Sequence, residues 1–258
     1  MSSILFAIEN NVAVITLNRP DKYNSFNREM ALQLQERLDE CARRDDVRCV
    51  YITGAGKAFS AGQDLAEVAD PNGPDTSTIL SEHYNPVIRK ITALEKPVVA
   101  VVNGVAAGAG ANIALCCDIV LAAQSASFIQ AFSKIGLIPD SGGTFFLPRL
   151  IGWQKALALA ITGDKINATD AERMGMVYKI FSDEELPTEA MKIAQMLAQM
   201  PTQAIAYTKQ AFQASLTNNL EDQLKLEENL QVKAGQTNDY QEGVQSFLEK
   251  RKAVFSGK

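Results

Sequence analysis

Few residues in this chain are equipped for chemistry, and Asp140 is the sharpest of them. It lies in Gly136-Leu137-Ile138-Pro139-Asp140-Ser141-Gly142-Gly143-Thr144, with apolar Leu137-Ile138 before it and Phe145-Phe146-Leu147 after it. An acid so placed can cap a helix beginning near Ser141 through its side-chain oxygen. Held in an apolar pocket instead, the carboxyl would be desolvated, its pKa would rise above the ordinary ~3.9, and it would become a better base. Phe128, Phe132, Phe145 and Phe146 around it suit a core as readily as a pocket wall. Two turns of small residues stand apart from it in sequence. Gly108-Ala109-Gly110 follows an apolar run and opens a helical segment, but Ile113 occupies the place of the third glycine of a dinucleotide fingerprint. Gly54-Ala55-Gly56-Lys57 likewise lacks the spacer and the hydroxyl residue of a phosphate-binding loop. What survives is physical: amides at the start of a helix after Gly108 are unpaired and lie at its positive end, so they can stabilise an anion. The second turn is Ala61-Gly62-Gln63-Asp64-Leu65, where Asp64 is placed to cap a short helix.

Much other chemistry is excluded. His83 is the single histidine, so a Ser-His-Asp triad or a His-rich metal site would rest on it alone, and Glu82-His83-Tyr84-Asn85-Pro86 reads as the surface of a helix. Cys41, Cys49, Cys116 and Cys117 form no C-x-x-C pair and have apolar or strand-like neighbours, which suits buried thiols of a reducing cytoplasm. With 25 Lys+Arg against 30 Asp+Glu, the formal charge of -5 argues against nucleic acid as a partner. Lys250, Arg251 and Lys252 read as a solvated face. No apolar run approaches the ~20 residues that cross a bilayer, and Met1–Leu5 lacks the charge and apolar core of a signal peptide. Neither ligand spacing nor a nucleotide fingerprint indicates a metal or redox cofactor.

The elements that must position these residues follow from periodicity. Leu5–Glu9 and Val12–Leu17 are apolar runs joined by Asn10-Asn11, which predicts a hairpin. Met30, Leu34, Leu38 and Cys41 recur at helical spacing within 27–43. Cys49–Thr53, Val98–Val102 and Ile119–Ala122 read as strands, the second apolar throughout as in a parallel sheet covered on both faces. Ile79–Leu94 and Ala111–Cys117 read as helices, and Asp70–Thr78 as a polar loop. Strand and helix alternate through the first 150 residues, which predicts right-handed crossovers and an α/β fold with a mostly parallel sheet. In open sheets of this kind the ligand site lies beyond the carboxyl ends of the strands, where the turns near 62 and 109 would meet. From Trp153 onward the pattern is helical apart from a strand at Val177–Phe181. Ile205, Thr208, Ala211 and Phe212 mark one late helix face, and Leu220 and Leu224 another, the kind of apolar surface that packs on another subunit or folds back over a site.

The order and spacing of these segments resemble the enoyl-CoA hydratase/isomerase (crotonase) superfamily. The motifs that carry the resemblance are Asn18-Arg19-Pro20 with Asn24-Ser25-Phe26, Ala61–Leu65, Asn103–Gly110, Cys117-Asp118-Ile119, Gly136–Thr144, Thr162-Gly163-Asp164 and Ala168–Gly175. The resemblance implies a spiral of repeated ββα turns over residues 1–200 and a helical region over 201–258 that builds a trimer or a dimer of trimers. It implies an acyl-CoA thioester as ligand, with coenzyme A arriving as part of the substrate. The family's oxyanion hole falls on the backbone amides of Gln63 and Ala109, two donors aimed at a thioester oxygen. Ala61, Asp64, Leu65 and Ala66 would contact substrate beside it, the adenine and pantetheine meeting 63–66, and so would Gly108, Gly110 and Phe132. Positive side chains, the C-terminal Lys/Arg cluster of a neighbouring subunit among them, would face the phosphates.

The departures bear on the reaction. The two glutamates of the family's hydratases fall on Asn112 and Phe132 here, and neither activates water as a carboxylate does. Asp140 stands where those hydratases carry glycine. A lone aspartate opposite an oxyanion hole suits proton relocation. Together with Tyr84-Asn85-Pro86, Glu242-Gly243-Val244 and Phe247-Leu248 it resembles the superfamily's acyl-CoA isomerases, which act on a ring-epoxidised phenylacetyl ester or on linear 3-enoyl esters. A hydratase using another acid such as Glu82, and an acyl-CoA binder without catalysis, are the alternatives.

Overall fold

The structure, a computed structural model, describes residues 2–258. Of the leading segment Met1–Leu5, Met1 lies outside the described residues. The chain opens with the expected hairpin: β1 (Ile4–Glu9) pairs antiparallel with β2 (Val12–Leu17) through Asn10 and Asn11, both at positive φ. Helix α1 (Arg28–Arg43) is capped by the Asn27 side chain, which accepts from the Met30 amide, and buries Met30, Leu34, Leu38 and Cys41.

Three times the chain then repeats one unit. β3 (Cys49–Gly54) turns into β4 (Ala58–Ser60), β5 (Val98–Val102) into β6 (Val105–Ala107), and β7 (Ile119–Ala123) into β8 (Ser127–Ile129). Helical segments follow each pair: α2 (Leu65–Ala69), α3 (Thr76–Thr78) and α4 (Asn85–Ala93) after the first, α5 (Ala109–Leu115) after the second, and a 3-10 turn (Ala131–Ile135) with α6 (Gly143–Ile151) after the third. With β9 (Lys165–Asn167) and β10 (Lys179–Phe181) the strands form two sheets, ordered β1-β2-β3-β5-β7-β10 and β4-β6-β8-β9. Pairing is parallel from β2 onward in the first sheet and from β4 to β8 in the second. This is the spiral of ββα turns. The sequence reading missed β4, β6, β8 and β9 because three residues are too few for alternation to register.

Around the sheets lie α7 (Trp153–Thr162), α8 (Ala168–Met174) and α9 (Leu186–Ala198), the last buried through Ala190, Ala194 and Ala198. The loop expected over Asp70–Thr78 ends early, since α3 already begins at Thr76 behind the Asp75 cap. A π-helical segment, Ile79–Tyr84, joins α3 to α4. Its wider turn carries an extra residue, which shifts the inward face away from ordinary helical spacing. His83 is therefore not a surface residue: it is 1% exposed, with a ring nitrogen 3.3 Å from an Arg28 guanidinium nitrogen. The four cysteines are buried free thiols, and burial pushes Cys41 and Cys49 up to about 12.

The final helices, α10 (Thr202–Ser215), α11 (Leu220–Ala234) and α12 (Asn238–Glu249), are tied to the core by few polar contacts. Arg48 donates to the Thr202 hydroxyl (3.0 Å) and to the carbonyls of Met200 (2.7 Å) and Phe255 (2.8 Å). Lys209 pairs with Asp118 at 2.7 Å. Much of their apolar surface faces outward, with Phe212 73% and Phe247 83% exposed.

Candidate active site

The two small-residue turns meet, and glycine makes the meeting possible. Gly62 has φ 88°, and a Cβ there would lie 2.8 Å from the Ala107 carbonyl oxygen and 3.4 Å from the Ala109 nitrogen. A Cβ at Gly110 would stand 2.6 Å from the Ser60 Cβ, so α5 can approach β4 closely only with glycine at that position. The turn near 62 is pinned to Phe26, whose amide donates to the Gly62 carbonyl at 2.7 Å and whose carbonyl accepts from the Asp64 amide at 2.8 Å. The Gln63 amide between them makes no hydrogen bond among the described residues. The Gly108 amide donates to Ile129 at 2.9 Å, and Ala109 is the first residue of α5, where an amide has no intrahelical acceptor. The two turns thus bring the unpartnered amides of Gln63 and Ala109 near one another.

The rest of the first turn is held by its own side chains. Asp64 caps α2, accepting from the Ala66 amide at 3.1 Å, and pairs with Arg19 at 2.8 Å. Burial raises the Asp64 carboxyl, but the Arg19 hydrogen bond and charge and the Ala66 amide outweigh it and hold the group low. Ala61, Leu65 and Ala66 are exposed on the outer rim of the turn. The Gln63 side chain accepts from the Tyr84 hydroxyl at 2.8 Å and donates to Glu67 at 3.0 Å.

Across from the amides, Phe132 is buried in the 3-10 turn, its ring 3.8 Å from where a Cβ of Gly108 would be. Asp140 is half-buried. Its carboxyl accepts from the Ser141 hydroxyl at 2.9 Å, and burial pushes its pKa above the ordinary carboxylate value while that hydrogen bond opposes the shift. The capping alternative fails, since α6 starts at Gly143 behind Gly142 with no side-chain cap. Ser141 and Gly142 both take left-handed conformations, φ 51° and 76°, and a non-glycine residue there is strained. The flanking Leu137 and Ile138 are exposed and so do not wall the carboxyl, and Phe145 lies on the surface under Arg149. Phe128 joins the contiguous core, Phe132 is buried apart from it, and Phe146 packs against Gly142.

Two features of the site escaped the sequence. Tyr84 lies close enough for the Asp140 charge to help keep its phenol protonated, burial being the larger cause. Asn112 is 1% exposed and links two elements: it accepts from the Gln130 amide at 2.8 Å and donates to the Asp140 backbone carbonyl at 2.8 Å. Tyr84 sits in a motif noticed only for its resemblance, and nothing in the sequence spacing joins 112, 130 and 140. Of the C-terminal basic cluster, Arg251 is engaged within this chain, where it pairs with Glu242 and Glu249, both at 2.6 Å.

A spiral of ββα turns with convergent free amides defines a class, and comparison agrees with it. The chain matches the enoyl-CoA hydratase/isomerase family over residues 7–258 and belongs to that family. A 1,2-epoxyphenylacetyl-CoA isomerase of Escherichia coli is 48% identical over 261 residues, covering all of both chains. A Rhodobacter capsulatus protein named "Probable enoyl-CoA hydratase" is 44% identical, covering 99% of this chain and 98% of its own. The solved enoyl-CoA hydratase of Bacillus anthracis superposes with a TM-score of 0.93 at 32% identity, covering 99% of this chain and 100% of the other.

Proposed function

We propose that this chain is an acyl-CoA isomerase in which Asp140 carries a proton between two carbons while the amides of Gln63 and Ala109 hold the negative charge. In a 3-enoyl ester the Asp140 carboxylate takes a proton from C2, and the electrons move onto the thioester oxygen, where the two amides stabilise the dienolate. Return of the proton at C4 gives the 2-enoyl ester, with no water consumed and no change of oxidation state. A ring-1,2-epoxyphenylacetyl-CoA, rearranged to the oxepin, is the second substrate class, in keeping with the name of the Escherichia coli relative. The reading needs no metal or redox cofactor of its own, and coenzyme A enters with the substrate. Ala61, Asp64, Leu65 and Ala66 form the rim toward the coenzyme A end, and Gly108, Gly110 and Phe132 the wall beside the acyl group.

The observation that supports this reading is the raised, half-buried Asp140 carboxyl in a site whose other two acid positions are occupied by Asn112 and Phe132. The name of the Rhodobacter relative favours hydration, which would need water activated by another acid. Glu82 is a poor choice, since its exposed carboxylate is taken by Arg28 at 2.9 Å. The exposed apolar faces of α10–α12 support residues 201–258 as an oligomerisation region beside a core of 1–200, in a homotrimer or dimer of trimers. Sedimentation of the purified protein tests that. Buried free thiols suit a cytoplasmic setting. Among the described residues no helix is long and apolar enough to cross a membrane.

The test of the reaction incubates the protein with a 3-enoyl-CoA in deuterated water and follows products by mass spectrometry. Conversion to the 2-enoyl ester without gain of water, lost in Asp140→Asn, is expected. Gain of water reassigns the chain to hydration. Absence of any conversion of either the 3-enoyl ester or the ring epoxide leaves a non-catalytic acyl-CoA binder.

A further inference from the structure

We infer that Asn112 is a positioning residue for Asp140, and that the loop conformation presenting Asp140 is incompatible with a carboxylate at position 112. The inference rests on Asp140 as the proton carrier. Asn112 stands on α5 three residues beyond Ala109, so the helix that supplies one oxyanion donor also supplies the strut to the acid. The strut has one possible polarity. The Asp140 carbonyl only accepts, so the Asn112 NH2 must face it, and the Asn112 oxygen is then left to accept from the Gln130 NH2. The loop is packed directly onto this amide: a Cβ at Gly143 would run into the Asn112 side-chain nitrogen. The Gly143 amide closes the turn by donating to the same Asp140 carbonyl at 2.8 Å.

An ionised acid at 112 would set an oxygen against that carbonyl at hydrogen-bond distance, buried and without a proton between them. The loop would move, and the Asp140 carboxyl with it. Two-acid and one-acid sites are therefore alternatives at the level of the loop, not merely substitutions at single positions. The ionisable groups near this point are Asp140 on the loop and the Tyr84 phenol on the π-helical segment, which itself feels the Glu67 and Asp64 charges; Gln130, on the element behind, is neutral.

Asn112→Asp changes one atom group and keeps the shape. At pH 8 it is expected to lower kcat about 10–100-fold, because misplacing a reacting group by about 1 Å costs up to ~10²-fold, with KM held within about threefold. Buried beside a carbonyl, the new acid has a raised pKa. As pH falls it takes up a proton and donates it to the Asp140 carbonyl, so the ratio of variant to parent kcat should climb toward acid. A ratio near one throughout, or a pH-independent ratio with KM worsening in step, overturns the inference. If the variant does not fold, Gln130→Ala carries the test, with kcat expected about 3–10-fold lower at unchanged KM on the same positional argument and unchanged kcat overturning it. Asp140→Asn keeps the two levels apart: turnover surviving there refutes Asp140 as proton carrier, whatever residue 112 does.

Discussion

The two sides of the site are made of different materials. The amide side is main chain, held by glycines that let strands and helix close on one another: Gly62 against Ala107, Gly110 against Ser60. The acid side is one side chain on a strained turn, steadied by a buried amide strut from Asn112 and Gln130. On the amide side the side chains at 63 and 109 are nearly irrelevant to the chemistry, because the donors belong to every residue type but proline. On the acid side, with Asp140 in its proposed role, a single atom exchange is expected to remove the function. In the proposed mechanism, tolerance and fragility are thus set by whether the reacting group is backbone or side chain.

The largest effect should come from the fragile side. Asp140→Asn is expected to lower turnover by about 10²–10⁴ while a non-reacting acyl-CoA still binds, because a general acid/base is lost and the contour of the site is kept. Steady-state kinetics with a calorimetric titration checks both halves. The tolerant side has one weakness to match. Ala109 is the first residue of α5, a position where proline fits a helix and where its missing N–H breaks no helical bond. Ala109→Pro therefore removes a donor without breaking a helical hydrogen bond, and kcat should fall about 10²–10³ as for loss of one oxyanion donor. Near-parental turnover in that variant would remove Ala109 from the oxyanion hole and leave the two sides unequal in function as well as in material.

This division also explains what was legible in the sequence. The long strands and α1 were readable because burial on one or both faces imprints a pattern on five to sixteen residues. The short strands β4, β6 and β8 were not, although they are what bring the turns at 62 and 109 together. Those turns announced themselves through small residues, since close approach of backbone leaves few choices. Asp140 was visible as an acid among apolar neighbours, yet the neighbours that seemed to enclose it, Leu137 and Ile138, point outward. Its actual support comes from residues 28 and 10 positions away, and no local period encodes such a contact. His83 was misread because a π-helical turn breaks the spacing on which inward and outward faces are judged.

Smaller effects should follow from disturbing the glycine contacts. Gly110→Ala forces a methyl into Ser60 where neither backbone can retreat, and a destabilisation of about 1–3 kcal/mol is expected from overpacking, read as a lower midpoint in denaturant. Gly136 is the control: at φ 74° with open space around it, alanine there meets only backbone strain of roughly 1 kcal/mol. Equal costs at the two positions would mean that close packing is not what holds the amide side. Gln63→Ala should do less to catalysis still. The amide remains, and the side-chain links to Tyr84, Glu67 and the Asp64 carbonyl are cut, so kcat should stay within about tenfold, the scale of one hydrogen bond of ~1 kcal/mol or slightly more.

The smallest effect concerns stability, and it runs opposite in sign to the largest. Burial raises the Asp140 carboxyl in the folded chain above its unfolded value, the Ser141 hydroxyl only partly offsetting this. A group shifted upward stabilises the fold fully below its unfolded pKa and loses that contribution as pH rises through the folded one. Once ionised, the carboxylate is therefore a cost to the fold. Asparagine keeps the acceptor for Ser141 and has no charge to desolvate. Asp140→Asn should thus melt at a higher temperature than the parent at pH 7, and the gap should narrow as pH falls through the folded pKa and close below ~3.9, where the parent carboxyl is protonated in both states. A variant that melts lower than the parent at pH 7 would mean that the Asp140 charge is paired in the folded protein rather than tolerated, and the acid side would then be a structural ion site instead of a strained base.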